Sequence, residues 1–449
     1  MSIADNGRFD YIEIIMKQFT MNLSSSIILF FLTMSLTAQN YKEKAIPLDP
    51  ESNLQTLISA AGDKKLVLLG EASHGTHEYY VWRDKISREL IKNNDFSFIA
   101  VEGDFASLYH LNLYVKNIEG AQSSAREVLS KLHRWPTWMW ANEEVVALLE
   151  WLREYNDKLP QHKKIGFYGM DVYDEWNSKA VVLELFQNID STIYRYVQTQ
   201  YDCFHPYKGD SWEYARAVSK GRASCSESTK NVVDFIRNNR EKFSSLSDDI
   251  YFYLLQNAIV VHNAEEFFRE SLISKSSVSW NSRVFHMHET INDLLTLYGE
   301  NSKGIIWAHN THIGDASYTS MRNVGEKNIG QLSRESLGAE NVFLIGFSSY
   351  RGKVLAGSSW GEPMKTMTIP KAKSGSLEDE LNKVGLDSFY VIFDNKDRKE
   401  KNLKVVGHRA VGVVYNPKKD RRQFVPTIVP LRYDALLFFK ETSALHTLH

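Results

Sequence analysis

LVLLGEASHGTHE, residues 66–78, joins an unbroken apolar run to a glycine-bearing turn crowded with acids and imidazoles. Leu66–Leu69 is too short for a helix and shows no polar alternation, so it reads as a strand buried on both faces. Polar residues begin only where that strand stops, with Glu71, Ser73, His74, Thr76, His77 and Glu78 set among Gly70, Ala72 and Gly75. An amphipathic stretch, Val81–Lys92, comes next. A strand that runs through a polar turn into a helix is the repeating unit of an open α/β sheet.

The same pattern recurs along the chain. Phe96–Val101 ends on Glu102, Lys164–Tyr168 on Gly169-Met170-Asp171, and Gly304–Ala308 on His309-Asn310-Thr311-His312. Further strands are predicted at Asn341–Phe347, Phe389–Phe393, Arg409–Val414 and Ala435–Phe439, and a helix at Glu143–Asn156. The fold class is therefore α/β, with a mostly parallel central sheet flanked by helices. From about residue 175 to 297 no strand pattern appears. Asn231–Phe243, Asp249–Phe268 and Ser282–Leu297 instead carry apolar residues at helical spacing. This region is predicted to be a helical insertion capping the active-site cleft.

The chain of 449 residues, 43% hydrophobic and 24% charged, is long enough for one large catalytic domain over residues 39–449 that carries the insertion. A formal net charge of −2 without a basic run gives nucleic acid nothing to bind. The aromatic share of 12% includes ten Trp, most of them for the core and a minority for the walls of a cleft. Ahead of the domain, Ile27–Leu36 is an apolar run shorter than the roughly 20 residues a spanning helix needs. With Lys17 before it and Leu36-Thr37-Ala38 after it, residues 1–38 read as a signal peptide cleaved after Ala38. The acids within residues 1–15 are foreign to such a leader, so translation is expected to start at Met16 or Met21. The mature chain would be periplasmic or extracellular, with no stable membrane span. The competing reading makes this run the first helix of the fold. Cys203 and Cys225 could close a loop of about 23 residues, worth on the order of 3 kcal/mol in an oxidising compartment. In a reducing one they are two separate thiols.

Acids or histidines thus follow four strands, and in a parallel sheet those carboxyl ends share one edge, where ligands bind. A neutral imidazole there can take a proton from water attacking a carbonyl carbon, and a carboxylate can fix its tautomer. Glu71, His74, Glu102, His309 and His312 supply these parts, and Arg83 in the following helix could orient one carboxylate. Asp171 and His77 are candidates for substrate binding. The same residue types could hold a divalent metal, since His74-x-x-His77 and His309-x-x-His312 have ligand spacing. Neither fits the helical His-Glu-x-x-His zinc motif. Gly357-Ser358-Ser359-Trp360-Gly361 matches a serine-hydrolase elbow in letters, but Glu362-Pro363 and the extended Met364–Ile369 follow where a helix is required. His262, His286 and His288 lie on predicted helices, where core or surface placement is the default.

At these residues the sequence resembles the erythromycin esterase family. The likeness runs through GEASHGTHEYYVWRD (70–84), FIAVEGDF (98–105), WPTWMWANEEVVALLEWLREYN (135–156), KIGFYGMDV (164–172) and IIWAHNTHIGDA (305–316). It continues through IGQLSRESLGAENVFLIGFSSYRG (329–352) and YDALLFFKETSALHTL (433–448). The resemblance implies hydrolysis of an ester, in named members a macrolide lactone. It makes His74 the general base, with Glu71 beside it and Glu102, Arg83, His309 and His312 completing the site. The implied fold is an α/β core with a helical lobe over an open cleft. WNSRVFHMHE (280–289) follows the family's Arg-Asp-x-x-Met block loosely, with Val284 where an acid belongs.

Three functions follow. The first is a carboxylic ester hydrolase using base-activated water on a small-molecule ester, without a cofactor. The second is a metal-dependent hydrolase of another ester or amide. The third is a periplasmic haem- or iron-binding protein, which the acids around the histidines suit less well.

Overall fold

In the computed structural model, which describes residues 40–49, 54–400 and 403–449, the strands are numbered in chain order. They are β1 (Ile46–Pro47), β2 (Leu66–Leu69), β3 (Phe98–Asp104), β4 (Gly166–Asp171), β5 (Gly304–Trp307) and β6 (Val342–Gly357). After these come β7 (Met364–Ile369), β8 (Ser388–Ile392), β9 (Val406–Arg409), β10 (Phe424–Thr427) and β11 (Ala435–Thr442). The signal-peptide expectation for residues 1–38 falls outside the described residues. Among the described residues no helix is long and apolar enough to cross a membrane.

Nine strands form one sheet in the order β1-β8-β11-β6-β2-β5-β3-β4, with β7 paired to β6. Neighbours from β11 to β4 run parallel, whereas β1, β8 and β7 are attached antiparallel. The α/β reading therefore holds, and the four strands with polar ends lie side by side as β2-β5-β3-β4.

Their continuous apolar sequences follow from burial on both faces. In β2, Val67 and Leu69 enter one core with Tyr79, Ile86 and Leu90 of α1 (His77–Asn94). Leu66 and Leu68 enter the other. Helices α2 (Phe105–Lys116) and α3 (Glu143–Asn156) follow β3. The span between residues 175 and 297 is helical throughout its regular structure, from α4 (Glu175–Ile189) to the long α5 (Asp248–Ile273) and α6 (Ser276–Leu297). It has a core of its own, including Val182, Phe186, Val232, Ile236 and Val261. Cys203 and Cys225 within it are joined as a disulfide, with Cα atoms 5.8 Å apart. Meanwhile α6 returns to the sheet on its β3-β4 side, adding Met287, Ile291 and Leu294 to the apolar core of that face.

The predicted strand Arg409–Val414 is corrected. β9 lies earlier and pairs with β10 in a separate two-stranded sheet. Beyond it the chain makes isolated bridges, Ser73 to Val411 and Gly357 to Val414, because it is spent bracing the turn after β2. Gly357–Gly361 spans the exposed connection between the antiparallel strands β6 and β7, so Ser359 is not on a strand-to-helix elbow.

Candidate active site

The turn after β2 is held from several sides by backbone. A Cβ on Gly70 would stand 2.1 Å from Asn310 Oδ1, and one on Gly75 would stand 2.0 Å from the Leu355 carbonyl oxygen. Both glycines are thus required by close approach. Asn310 donates its backbone N–H to the Glu71 carbonyl at 2.8 Å, and Val411 does the same to Ala72 at 2.8 Å. The side chain of Asn310 reaches across to the Phe347 carbonyl at 2.7 Å.

On this support His74 turns Nδ1 to Glu71 Oε1 at 2.9 Å. The second oxygen of Glu71 accepts from Arg83 Nη2 at 3.1 Å. Arg83 is wholly buried, its guanidinium lying over the rings of Tyr80 and Trp307 at 4.1 and 4.6 Å. Arg83, Glu71 and His74 form a chain that keeps the imidazole proton on Nδ1 and leaves Nε2 as the basic nitrogen. Burial opposes charge on His74, but the hydrogen bond to Glu71 and the charges of Glu102 and Glu71 outweigh it and raise its pKa above 6.5.

His309 lies beside it, with ring centroids 4.8 Å apart. It caps the short helix α7 (Asn310–Ile313), its Nδ1 accepting from the Thr311 backbone N–H at 3.2 Å and lying 2.8 Å from Thr311 Oγ1. A ring that accepts at Nδ1 carries its proton on Nε2; that atom is buried, and the ring also interacts with the Ala72 carbonyl. Burial first, then the positive potential of His74, holds the His309 pKa well below 6.5. This ring is a neutral N–H donor beside the base.

A third group centres on Arg283 of α6. Its Nε and Nη2 donate to the two Asp171 oxygens at 2.8 and 2.6 Å, and Nη2 also donates to Glu102 Oε1 at 2.9 Å. Its Nη1 is 3.2 Å from His312 Nε2. The other oxygen of Glu102 accepts from the His309 backbone N–H at 2.8 Å. Burial works against the Glu102 charge, but His312, His74 and Arg283 together hold its carboxyl well below the usual range. The register of β3 shifts between Val101 and Asp104, at Glu102 itself. His312 stacks on Trp280 at 4.7 Å.

His74, Glu102, Asp171, Arg283, His309 and His312 line an open cavity of about 540 Å³. One wall comes from the sheet edge and another from Tyr173 and Asp174, between β4 and α4, with Trp280 and Arg283 of α6. Leu108, Leu132, Met139, Trp140 and Trp360 give it apolar surface. Arg134, also in the lining, pairs with Asp104 through both carboxylate oxygens. Burial, with the charge of Asp104 added, pushes Asp174 up to about 7.

The erythromycin esterase model matches residues 91–442, more than half of the chain. The chain belongs to the erythromycin esterase family. The match takes in Glu102, Asp171, Arg283, His309 and His312, and the turn with Glu71 and His74 precedes it. The chain is 21% identical to erythromycin esterase type II of Escherichia coli over 382 residues, 79% of this chain and 88% of that protein. It is 23% identical to the putative hydrolase YbfO of Bacillus subtilis (strain 168) over 372 residues, 78% and 79% of the two. A crystal structure of a Bacillus cereus protein superposes with a TM-score of 0.77 at 19% identity, covering 93% of this chain and 99% of that one. An erythromycin esterase mutant, EreC in its open conformation, gives 0.62 at 15% identity, covering 87% and 93%. The protein is a hydrolase of the erythromycin esterase family.

Of the sequence candidates in this family member, Glu71, His74, Glu102, His309, His312, Arg83 and Asp171 are brought together. His77 is not. It is the first residue of α1, and its Nδ1 turns to Glu144 Oε1 at 2.5 Å, outside the cleft. The helix begins at this residue, so its ring leaves the turn in another direction from that of His74, and the two do not share a ligand. Among the described residues, the group of His, Cys, Asp or Glu side chains that converges as metal ligands is His77, Glu144 and His446. Asp171 is in the lining, but Arg283 occupies both its oxygens, which makes it a positioning group.

Arg283 itself was missed. Its signal was the loosely matching WNSRVFHMHE block, where the arginine survives beside Val284. Val284 is fully buried in the core under the sheet, and an acid there would need a partner among Leu and Phe side chains.

Proposed function

We propose that the protein hydrolyses a carboxylic ester by direct attack of water, with His74 as general base and a macrolide lactone as the candidate substrate. The observation that carries this reading is the buried Arg83–Glu71–His74 chain ending in the cleft beside the His309 ring. His74 Nε2 takes a proton from water as its oxygen bonds to the ester carbonyl carbon. Glu71 and Arg83 hold the imidazolium that forms. The carbonyl π electrons move to oxygen, and His309 Nε2–H donates to that oxyanion. Collapse breaks the bond to the alcohol oxygen, which receives the proton from His74. Arg283 holds Glu102 and Asp171 in place at the opposite wall.

A cavity of about 540 Å³ with Trp140, Trp280 and Trp360 on its walls suits a bulky, partly apolar ester. Export is part of the same proposal, supported by the Ile27–Leu36 apolar run and the Cys203–Cys225 disulfide.

The test is incubation of purified protein (residues 39–449) with erythromycin, read by mass spectrometry. The expected result is a mass gain of one water that persists in chelator and is absent with His74→Ala. Activity that disappears in chelator and returns with zinc would overturn direct His74 catalysis. An unchanged antibiotic would remove macrolides as substrate and send the assay to a panel of smaller esters.

A further inference from the structure

Outside the cleft, the chain builds a second meeting of imidazoles and carboxylate that the hydrolytic machinery leaves unused. His77 Nδ1 and His446 Nδ1 lie 2.5 and 2.7 Å from one oxygen, Glu144 Oε1. The two rings meet edge to face at 5.0 Å. One ligand atom from each of the three residues lies within 4.8 Å of the others.

Three distant segments are fixed by backbone to make this cluster. The C-terminal strap donates from Leu445 N–H to the Gly75 carbonyl at 3.1 Å and from Leu448 N–H to Ala141 at 2.9 Å. Glu143 N–H donates to the His446 carbonyl at 2.9 Å, and His77 N–H to Ser443 at 3.0 Å. Glu78 accepts from the Ser443 backbone at 2.9 Å. The Glu144 side chain is only 4% exposed, whereas that of His446 is 63% exposed, so the cluster has a buried floor and an open side.

We propose that His77, Glu144 and His446 form a binding site for a zinc-class divalent cation. Two imidazoles and one carboxylate form a donor set that favours zinc, cobalt or nickel over magnesium and calcium, which take oxygen cages. In the cation-bound form each ring carries its proton on Nε2 and presents Nδ1, and water completes a tetrahedral shell on the open side. The ion would clamp the C-terminal strap to α3 and to the residue that follows Gly75 and Thr76 of the His74 turn. Its role is structural, because none of its ligands lines the cleft.

The experiment is calorimetric titration of chelator-stripped protein with zinc chloride, alongside thermal melts and cobalt absorption spectra. A single equivalent of zinc should bind, raise Tm and give the visible bands of tetrahedral cobalt, while magnesium does none of these. His446→Ala, at an exposed position that keeps the fold by circular dichroism, should lose the equivalent, the Tm shift and the cobalt bands. Glu144→Gln should lose them too. Failure of folded wild-type protein to bind zinc would overturn the site, as would equal binding by His446→Ala.

Discussion

His74 and His77, separated only by Gly75 and Thr76, each turn Nδ1 to a glutamate, yet they serve different ends. Behind Glu71 stands a buried arginine, and the free edge of the His74 ring faces a cleft with His309 alongside. Behind Glu144 stands a second imidazole, on an exposed strap. A His–Glu pair becomes a base when a buried cation fixes the carboxylate and Nε2 opens to substrate. It becomes a clasp when another chain segment closes on the same oxygen.

The sharpest way to break this contrast is to remove each histidine. His74→Ala should lower kcat/KM by roughly 10³–10⁴ with an unchanged circular dichroism spectrum. His77→Ala should leave kcat unchanged and lower only the melting temperature. Equal losses of turnover in the two variants would erase the distinction.

Arg283→Ala comes next, since it strands Glu102 and Asp171 as buried carboxylates without their guanidinium. Urea denaturation should register a loss of about 3–5 kcal/mol. Arg283→Lys should recover only part, because a single ammonium cannot span both carboxylates. His309→Ala, which removes the N–H donor beside the base, should cost about 10²–10³ in kcat with little change in KM.

The gentlest test is the pH profile. His74 must be neutral to act, and its pKa is raised above 6.5, so kcat/KM should fall as pH drops through a value higher than 6.5. Glu71→Gln removes the hydrogen-bonded carboxylate that opposes burial, so the acidic limb should move to lower pH and the maximum should shrink. An unmoved limb in steady-state assays from pH 5 to 9 would detach Glu71 from the base.

The polar residues were legible because a strand buried on both faces is apolar along its length and gathers polar side chains at or beyond its carboxyl end. β3 and β4 do so with Glu102 and Asp171 in their last residues. Leu66–Leu69 and Gly304–Trp307 are apolar to the last residue, and Glu71, His74, His309 and His312 follow at once. Arg283 was not legible in that way. It sits in a helix whose periodicity announces the buried face of Val284, Met287 and Ile291, and nothing local names Glu102 and Asp171 as its partners. Arg409–Val414 misled for a related reason. Its β-branched residues fit a strand, but its N–H groups are scattered, Arg409 donating to the Glu378 side chain, Ala410 to Gln423 and Val411 to Ala72, instead of to one neighbouring ladder.

Local chemistry in the sequence therefore determined the α/β class, the helical insertion and the sheet edge where acids and histidines collect. Tertiary structure decided which imidazole faces the cleft, which carboxylate lies behind it, and that an arginine far along the chain holds the opposite wall. The reason is range: periodicity and propensity act over a few residues, whereas a buried charge is settled by whatever partner the fold brings to it.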